Sequence, residues 1–303
     1  MKIKQENLNI FYGYRCNYAC EACSSGSNEV SDASLDPNLD EILESIPILA
    51  ETFEVDSMIT LIGGEPFLYW DDRISIIAQE VNRWFPGNRI NIFTNGQLLH
   101  KNVEKIFALS EKVDNLSITI SNHLTDCGEE LPVTMWRRNI NDFINHPRIV
   151  KIHADHYHIK DNIHANIYFS NMTKFKPYYK RLENGTIKPW ATNDPKLSMK
   201  HGCVGNVCSC TFGKKLYKCP ILATLPNHLK SIGQEQDPDW QKYINYPVVD
   251  LSNLDPALLE EFSSTYGKPV SVCDMCNGDP INTITKRTYP LVFKQQLHST
   301  FNE

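Results

Sequence analysis

No stretch of this chain approaches the roughly 18 consecutive apolar residues of a membrane span. Its first residues, Met1-Lys2-Ile3-Lys4-Gln5-Glu6-Asn7, are too polar for the apolar core of a secretion signal. Positive charge is not in excess: 30 Lys and Arg stand against 36 Asp and Glu, a net charge of −6. A general phosphate-backbone binder needs a basic surface, so nucleic acid is not an expected partner. Nor is a membrane. No internal repeat is visible, which argues against a solenoid. The 303 residues, 41% hydrophobic and 22% charged, suit a soluble globular protein of one large domain or two modest ones.

Cysteine is what the chain has in quantity, ten residues in all. Without a secretion signal, so many thiols point to metal or redox chemistry in a reducing compartment, not to disulfides. The cytoplasm is the expected location. Three of them fall in Cys16-Asn17-Tyr18-Ala19-Cys20-Glu21-Ala22-Cys23, a C-x3-C-x2-C spacing directly after the apolar stretch Leu8 to Tyr14. Three thiolates this close can wrap one face of an iron–sulfur cube, since thiolate is the usual ligand of such irons. A [4Fe–4S] cluster held that way keeps one iron open for a small molecule. Zinc completed by a fourth residue and ordinary buried thiols are the competing readings.

The first half of the chain alternates strand and helix signals. Leu8–Tyr14, Ser57–Ile62, Arg89–Phe93 and Leu116–Ile120 read as strands. Between them, Leu39, Ile42, Leu43, Ile46, Leu49 and Ala50 recur at helical spacing, with Pro47 expected to bend that helix. Ile74, Ile77, Ala78, Val81 and Trp84 form a second stripe, and Val103–Leu109 suggests a third helix. Such alternation predicts an α/β fold, a parallel sheet with helices outside it. In those folds ligands bind beyond the carboxyl ends of the strands. Cys16 to Cys23, Gly63-Gly64-Glu65, Thr94-Asn95-Gly96 and the run Thr119 to Asn122, which includes Ser121, all fall at such ends. Residues 121–148 are less regular. Ile149–Ile159 and Ile163–Phe169 read as two further strands. The polar stretch 170–200 is where a boundary is expected, giving a core domain over 1–195 and a smaller one over 196–303.

Six of the remaining cysteines lie in the last third: Cys203, Cys208, Cys210, Cys219, Cys273 and Cys276. Their pattern suggests a hairpin around Gly213 with a cysteine on each arm, closed by the distant pair Cys273-Asp274-Met275-Cys276. That arrangement holds a metal centre tetrahedrally, and zinc suits it as well as iron–sulfur does. Cys127 stands alone and reads as an ordinary thiol. His153, Asp155, His156, Tyr157, His158 and His164 crowd into twelve residues. If the run is one strand, His153, Asp155 and Tyr157 share one face and His156 and His158 the other. Either face could supply an acid, a base or a substrate contact. Solvated edge residues are the competing reading.

The C-x3-C-x2-C run after a first strand, followed by Gly63-Gly64-Glu65-Pro66 at the end of a second, resembles the radical S-adenosylmethionine superfamily over roughly residues 8 to 195. Asn17 also fits. The resemblance implies a partial (β/α)6 TIM-like barrel. It implies that Cys16, Cys20 and Cys23 hold a [4Fe–4S] cluster whose open iron chelates S-adenosylmethionine. Gly63, Gly64 and Glu65 would contact the cofactor's amino group, with Asn95, Thr119 and Ser121 as further cofactor candidates. The position before the third cysteine, often aromatic in that family, is Ala22 here, and Tyr18 is the candidate to take its place. The C-terminal cysteines resemble the family's short auxiliary-cluster extension, the twitch form of the SPASM domain, since none follows Cys276. One extra residue separates Gly213 from Cys219 relative to that pattern. On this resemblance Cys203, Cys219, Cys273 and Cys276 are assigned to an auxiliary [4Fe–4S] cluster acting as an electron relay, with Cys208 and Cys210 as surplus thiols. His153, Asp155 and Tyr157 are the candidate catalytic groups. The implied partners are a small-molecule or peptide substrate and an electron donor such as flavodoxin or ferredoxin. Only 15 residues precede Cys16, so no fused recognition domain is expected there.

Overall fold

The computed structural model describes residues 2–20, 23–121, 130–170, 178–203, 208–278 and 287–288. In chain order the elements begin with β1 (Ile3–Phe11), β2 (Ala19–Cys20), α1 (Leu39–Thr52), β3 (Phe53–Ile62), α2 (Ser75–Trp84), β4 (Arg89–Thr94), α3 (Leu99–Ser110) and β5 (Leu116–Ser121). Next come α4 (Glu130–Ile144), β6 (Ile149–His153), β7 (His156–Ile159), β8 (Asn162–Ser170), β9 (Tyr179–Arg181), β10 (Ile187–Pro189) and α5 (Pro195–Gly202). The last are β11 (Cys208–Phe212), β12 (Lys215–Tyr217), α6 (Pro220–Ser231), α7 (Pro238–Ile244), β13 (Val249–Asp250), α8 (Pro256–Ser264) and β14 (Arg287–Thr288).

Packing divides the chain into two compact units: residues 1–12 with 37–173, and residues 13–36 with 174–303. In the first unit the strands run in the order β1-β3-β4-β5-β8-β7-β6. β1, β3, β4, β5 and β8 are mutually parallel, and β7 and β6 close the order antiparallel. The two faces of this sheet differ in chemistry. Ile10, Leu61, Ile92, Ile118 and Ile167 form one register row, all wholly buried or nearly so. One residue earlier, Asn9, Thr60, Asn91, Ser117 and Asn166 form the next row. Successive residues of a strand point to opposite faces, so the apolar row and the polar row belong to opposite sides.

Helix α1 begins at the Asn38 cap, whose side chain accepts the Asp40 N–H at 2.8 Å. It runs from Leu39 through Pro47 to Thr52 as one helix. Buried Ile42 and Ile46 before the proline and Leu49 and Ala50 beyond it hold both halves to the core, and packing of an apolar face outweighs local propensity. The strands exceed the sequence reading at one end: β1 starts at Ile3 and β3 at Phe53. The expected strand Ile149–Ile159 is instead a hairpin, β6 and β7, turning at Ala154-Asp155. Arg73 marks where the chain leaves this unit and returns. One guanidinium nitrogen donates to the Tyr12 carbonyl at 3.1 Å and the Pro37 carbonyl at 2.6 Å.

The second unit is built on α6. Leu222, Leu225 and Leu229 of that helix pack with Tyr178, Tyr179, Ile187, Trp240, Tyr243, Val272 and Met275. β11, β12 and β13 form an antiparallel meander, β9 pairs with β10, and β14 with β2. The β11–β12 turn at Gly213 has φ +57, which only glycine adopts at no steric cost. Cys203 does not lie on this hairpin but caps the end of α5. Among the described residues no helix is long and apolar enough to cross a membrane.

Candidate functional site

In the first unit, the segments after β3 and β4 are joined through Glu65. Its carboxylate accepts the Thr94 hydroxyl at 2.7 Å, the Asn95 N–H at 2.9 Å and the Phe67 N–H at 3.4 Å. Thr94 Oγ1 in turn accepts the Gly96 N–H at 3.0 Å, and Asn95 Oδ1 accepts the Gln97 N–H at 3.0 Å. Glu65 is 1% exposed. Burial pushes its carboxyl up to about 7, against the three donors that favour the charged form. Among the described residues no Lys or Arg pairs with it. The Gly64 carbonyl accepts the Tyr12 hydroxyl at 2.9 Å. Thr119, half-buried, donates to Asn91 Oδ1 at 2.8 Å, and Ser121 is buried at the end of β5. The Gly63–Glu65, Thr94–Gly96 and Ser121 segments thus lie at the carboxyl ends of adjacent parallel strands, as expected.

In the second unit, Cys16, Cys20 and Cys23 are in no disulfide, and each is partly exposed. The loop is tightly turned. Cys16 Sγ accepts the Tyr18 N–H at 3.4 Å, Cys23 N–H donates to the Cys20 carbonyl at 3.1 Å, and Cys23 Sγ meets Ser25 Oγ at 3.3 Å. Tyr18 is 5% exposed. Ala22 lies outside the described residues, as does Cys127. A loop of three accessible thiols, already in hydrogen-bonded turns, is the donor set that a three-thiolate iron–sulfur cluster takes.

The four cysteines of the C-terminal set also lie in this unit. Cys203 ends α5, Cys219 caps the start of α6, and Cys273 and Cys276 sit in and after the short 3-10 turn Ser271–Met275. That turn is well anchored. Ser198 donates to the Cys276 carbonyl at 2.9 Å, Lys242 bonds Asp274 at 2.6 Å, and the Tyr243 hydroxyl reaches Asp274 at 3.1 Å. Burial pushes the Cys219 thiol up to about 12, and the charges of Cys203 and Cys273 add to it. Burial likewise raises Cys276, with Cys219, Cys203 and Cys273 as its charged neighbours. The four are therefore within electrostatic reach of one another. They do not stand at ligand spacing: among the described residues no group of three or more His, Cys, Asp and Glu is placed to hold a metal ion. Thiols so gathered that burial and mutual charge raise Cys219 and Cys276 fit a cationic centre that would favour their charged forms. Cys210, one of the surplus thiols, is wholly buried beside Tyr14 and Tyr217.

The histidine-rich hairpin separates its candidates. Asp155 is in the turn, and His153 is exposed. Tyr157 pairs in register with Ile167 on the apolar side and packs edge-on against Phe169 at 5.6 Å. His156 is on the side of Tyr168, stacked on its ring at 4.5 Å, with Nε2 2.8 Å from Asn166 Oδ1. The turn breaks the strand parity that would have put His153, Asp155 and Tyr157 on one face.

Sequence reasoning did not single out a buried polar chain in the second unit. His228 of α6 is wholly buried. Its Nε2 lies 2.7 Å from Glu29 Oε2, and its Nδ1 meets the Tyr178 hydroxyl. Arg181 donates to the other oxygen of Glu29. The only local signal was a histidine between Leu225 and Leu229 on the apolar stripe of a helix.

No protein-family model matches the chain, and no curated protein matches it significantly. Among solved structures it is similar to BtrN in complex with AdoMet and 2-DOIA, at 13% identity over 95% of this chain and 100% of that one, with a TM-score of 0.48. Its likeness to BtrN in an open conformation is 11% identity over 92% and 95%, TM-score 0.42. For anSMEcpe with bound AdoMet and the Cp18Cys peptide it is 15% identity over 45% and 40%, TM-score 0.31.

Proposed function

We propose that this protein is a radical S-adenosylmethionine enzyme with an auxiliary cluster. The observation that carries the reading is the short loop of three cysteines after β1, in a chain whose next parallel strand is followed by Gly63-Gly64-Glu65. Cys16, Cys20 and Cys23 would hold a [4Fe–4S] cluster, and Cys203, Cys219, Cys273 and Cys276 a second one. When bound, the first cluster with S-adenosylmethionine supplies one electron and a 5′-deoxyadenosyl radical able to take a hydrogen atom from an unactivated carbon.

The chain's own residues supply position and charge. The main chain at Gly63 and Gly64 allows close approach of the cofactor's methionine end, because neither carries a side chain. Glu65 is a buried carboxylate with no counter-charge among the described residues, so an arriving ammonium would favour its ionised form. Two of its three donors also fix the Thr94–Gly96 turn, where Asn95 is a further contact. Thr119 and Ser121 are candidate cofactor contacts on β5, and Tyr18 is the candidate for the adenine. The second set of four thiols leaves no ligand position open, which suits electron transfer more than substrate binding. A hydrogen-abstracting reaction that ends in oxidation must pass one electron on, and this set is its proposed acceptor. The substrate is a small molecule or a peptide, with a flavodoxin- or ferredoxin-type electron donor.

Anaerobic reconstitution tests the reading. A brown protein with about eight irons per chain, as two cubes require, and reductive release of 5′-deoxyadenosine are expected. A colourless protein taking up two zinc ions and releasing none would sink the enzyme in favour of a zinc-binding interaction module.

A further inference from the structure

Nothing in the proposed chemistry uses the chain Tyr178–His228–Glu29–Arg181, yet it is costly to bury. Four polar groups of this kind need full mutual satisfaction, or an apolar residue would serve better. Here the satisfaction is complete at the imidazole. Nε2 lies 2.7 Å from Glu29 Oε2 and Nδ1 meets the Tyr178 hydroxyl, so both ring nitrogens are engaged. A leucine at this point of the apolar stripe would cost nothing in polarity, so the histidine has a different use.

That use is legible in what the ring touches. Gly26 has φ +69, and a Cβ placed on it would stand 2.9 Å from His228 Cγ and 3.0 Å from its Cβ. The backbone of the loop is therefore pressed directly against this side chain. The Gly26 N–H donates to the Cys23 carbonyl at 3.2 Å, while the Gly26 carbonyl accepts the Glu29 and Val30 N–H groups at 3.0 and 3.1 Å. A continuous path of hydrogen bonds thus runs from Cys23 through Gly26 and Glu29 to His228. The same helix holds the segment at two other points. Asn227 Nδ2 donates to the Leu35 carbonyl at 3.1 Å, and the Tyr14 hydroxyl donates to the Thr224 carbonyl at 3.4 Å. Helix α6 begins at Cys219, so one rigid element carries a thiol of one set and clamps the loop of the other.

We propose that His228 is a positioning residue for the Cys16–Cys23 loop, fixing its backbone through Gly26 and Glu29 and thereby the presentation of the three thiols. The inference rests on the proposed three-thiolate cluster.

Asparagine and glutamine separate the two arms of the ring. His228→Asn keeps a polar group near Nδ1, toward Tyr178, and loses Glu29. His228→Gln reaches the Nε2 position and keeps Glu29. The reconstituted full-length protein is examined by electron paramagnetic resonance of its reduced three-thiolate cluster, with and without S-adenosylmethionine, and by thermal melting. His228→Asn should melt cooperatively, lose the cofactor-dependent change of the signal, and cleave S-adenosylmethionine roughly 10- to 100-fold more slowly, the usual range for a residue behind a metal ligand. His228→Gln should recover most of the signal, because it keeps the Glu29 arm. If His228→Asn fails to fold, Glu29→Ala gives the same reading from the loop side. A wild-type signal and cleavage rate in a folded His228→Asn or Glu29→Ala protein overturns the positioning role alone. A protein in which Cys16, Cys20 and Cys23 are all replaced by Ala and which keeps all its iron overturns the cluster assignment as well.

Discussion

Glu65 and Glu29 are both carboxylates removed from water, and their environments push them in opposite directions. At Glu65 burial dominates and raises the carboxyl to about 7, although three hydrogen-bond donors oppose it. At Glu29 burial also raises, but the hydrogen bond and charge of His228 and the charge of Arg181 outweigh it and hold the group below its ordinary value. Neutral donors alone do not offset the desolvation of a carboxylate, whereas charged partners do. Among the described residues, the carboxylate of the first unit is met by neutral donors only, whereas that of the second, six residues after Cys23, is met by an imidazole and a guanidinium.

The largest expected effect breaks the second side of that comparison. Replacing Cys16, Cys20 and Cys23 together by Ala should abolish cofactor cleavage while the C-terminal set keeps about half of the iron. Undiminished 5′-deoxyadenosine production by this variant would end the assignment. Replacing Cys276 by Ala should instead cost stability and turnover but leave cleavage without product, since a metal centre in a small domain contributes directly to folding. Chemical quantification of 5′-deoxyadenosine against product in the two variants separates them.

Next in size is a change on the first side. Gly64→Val puts a branched side chain where close backbone approach is proposed. S-adenosylmethionine should bind at least tenfold more weakly, about 1.4 kcal/mol, with the iron content unchanged. Equal affinity by calorimetry would place the methionine end of the cofactor elsewhere.

These two sides were unequally legible in the sequence. Local patterns carried well: Gly63-Gly64-Glu65 and the strand ends at Thr94 and Ser121 stand where alternation and turn chemistry put them. The hairpin at Ala154-Asp155 was hidden because Asp155 stands there without a glycine or asparagine beside it to complete a two-residue turn signal, so alternation seemed to run on through His156. Cys203 was read onto a hairpin arm because nothing in the short stretch after it announces that it ends a helix. Least legible was the polar chain. Glu29 and His228 are 199 residues apart, and Tyr178 and His228 are 50 apart. Their meeting depends on residues 13–36 packing with the C-terminal unit, which no periodicity reports. Arg73, bonding the carbonyls of both Tyr12 and Pro37, shows the physical device that lets the excursion leave and return at one point.

Glu65 also makes a pH signature. Its carboxyl stands near 7 in the fold against an ordinary value of 4.5. Below 4.5 it is protonated in both states and costs nothing. Between 4.5 and 7 the unfolded chain ionises first, so folding stability falls as pH rises, and above about 7 the full penalty remains, on the order of 3 kcal/mol. Urea unfolding from pH 4 to 8 should show this decline in wild type and a flatter profile in Glu65→Gln. Saturating S-adenosylmethionine should flatten the wild-type profile as well, since the ammonium favours the ionised form. A wild-type profile with the same slope as Glu65→Gln would mean that the fold leaves the carboxyl at its ordinary value.

The smallest effect is expected at Arg181. Its side chain is 31% exposed and pairs with Glu29, which is 18% exposed. An ion pair partly open to solvent contributes little, because water screens it and two side chains must be ordered to form it. Arg181→Ala should therefore lower stability by less than about 1 kcal/mol, and by less still in high salt. Glu29 keeps its bond to His228 in that variant, so the loop should stay in place and the cluster signal with it. A double-mutant cycle of Arg181→Ala with Glu29→Gln measures the pair. A coupling well above 1 kcal/mol would show that the guanidinium, and not the imidazole, is the partner that holds Glu29 charged.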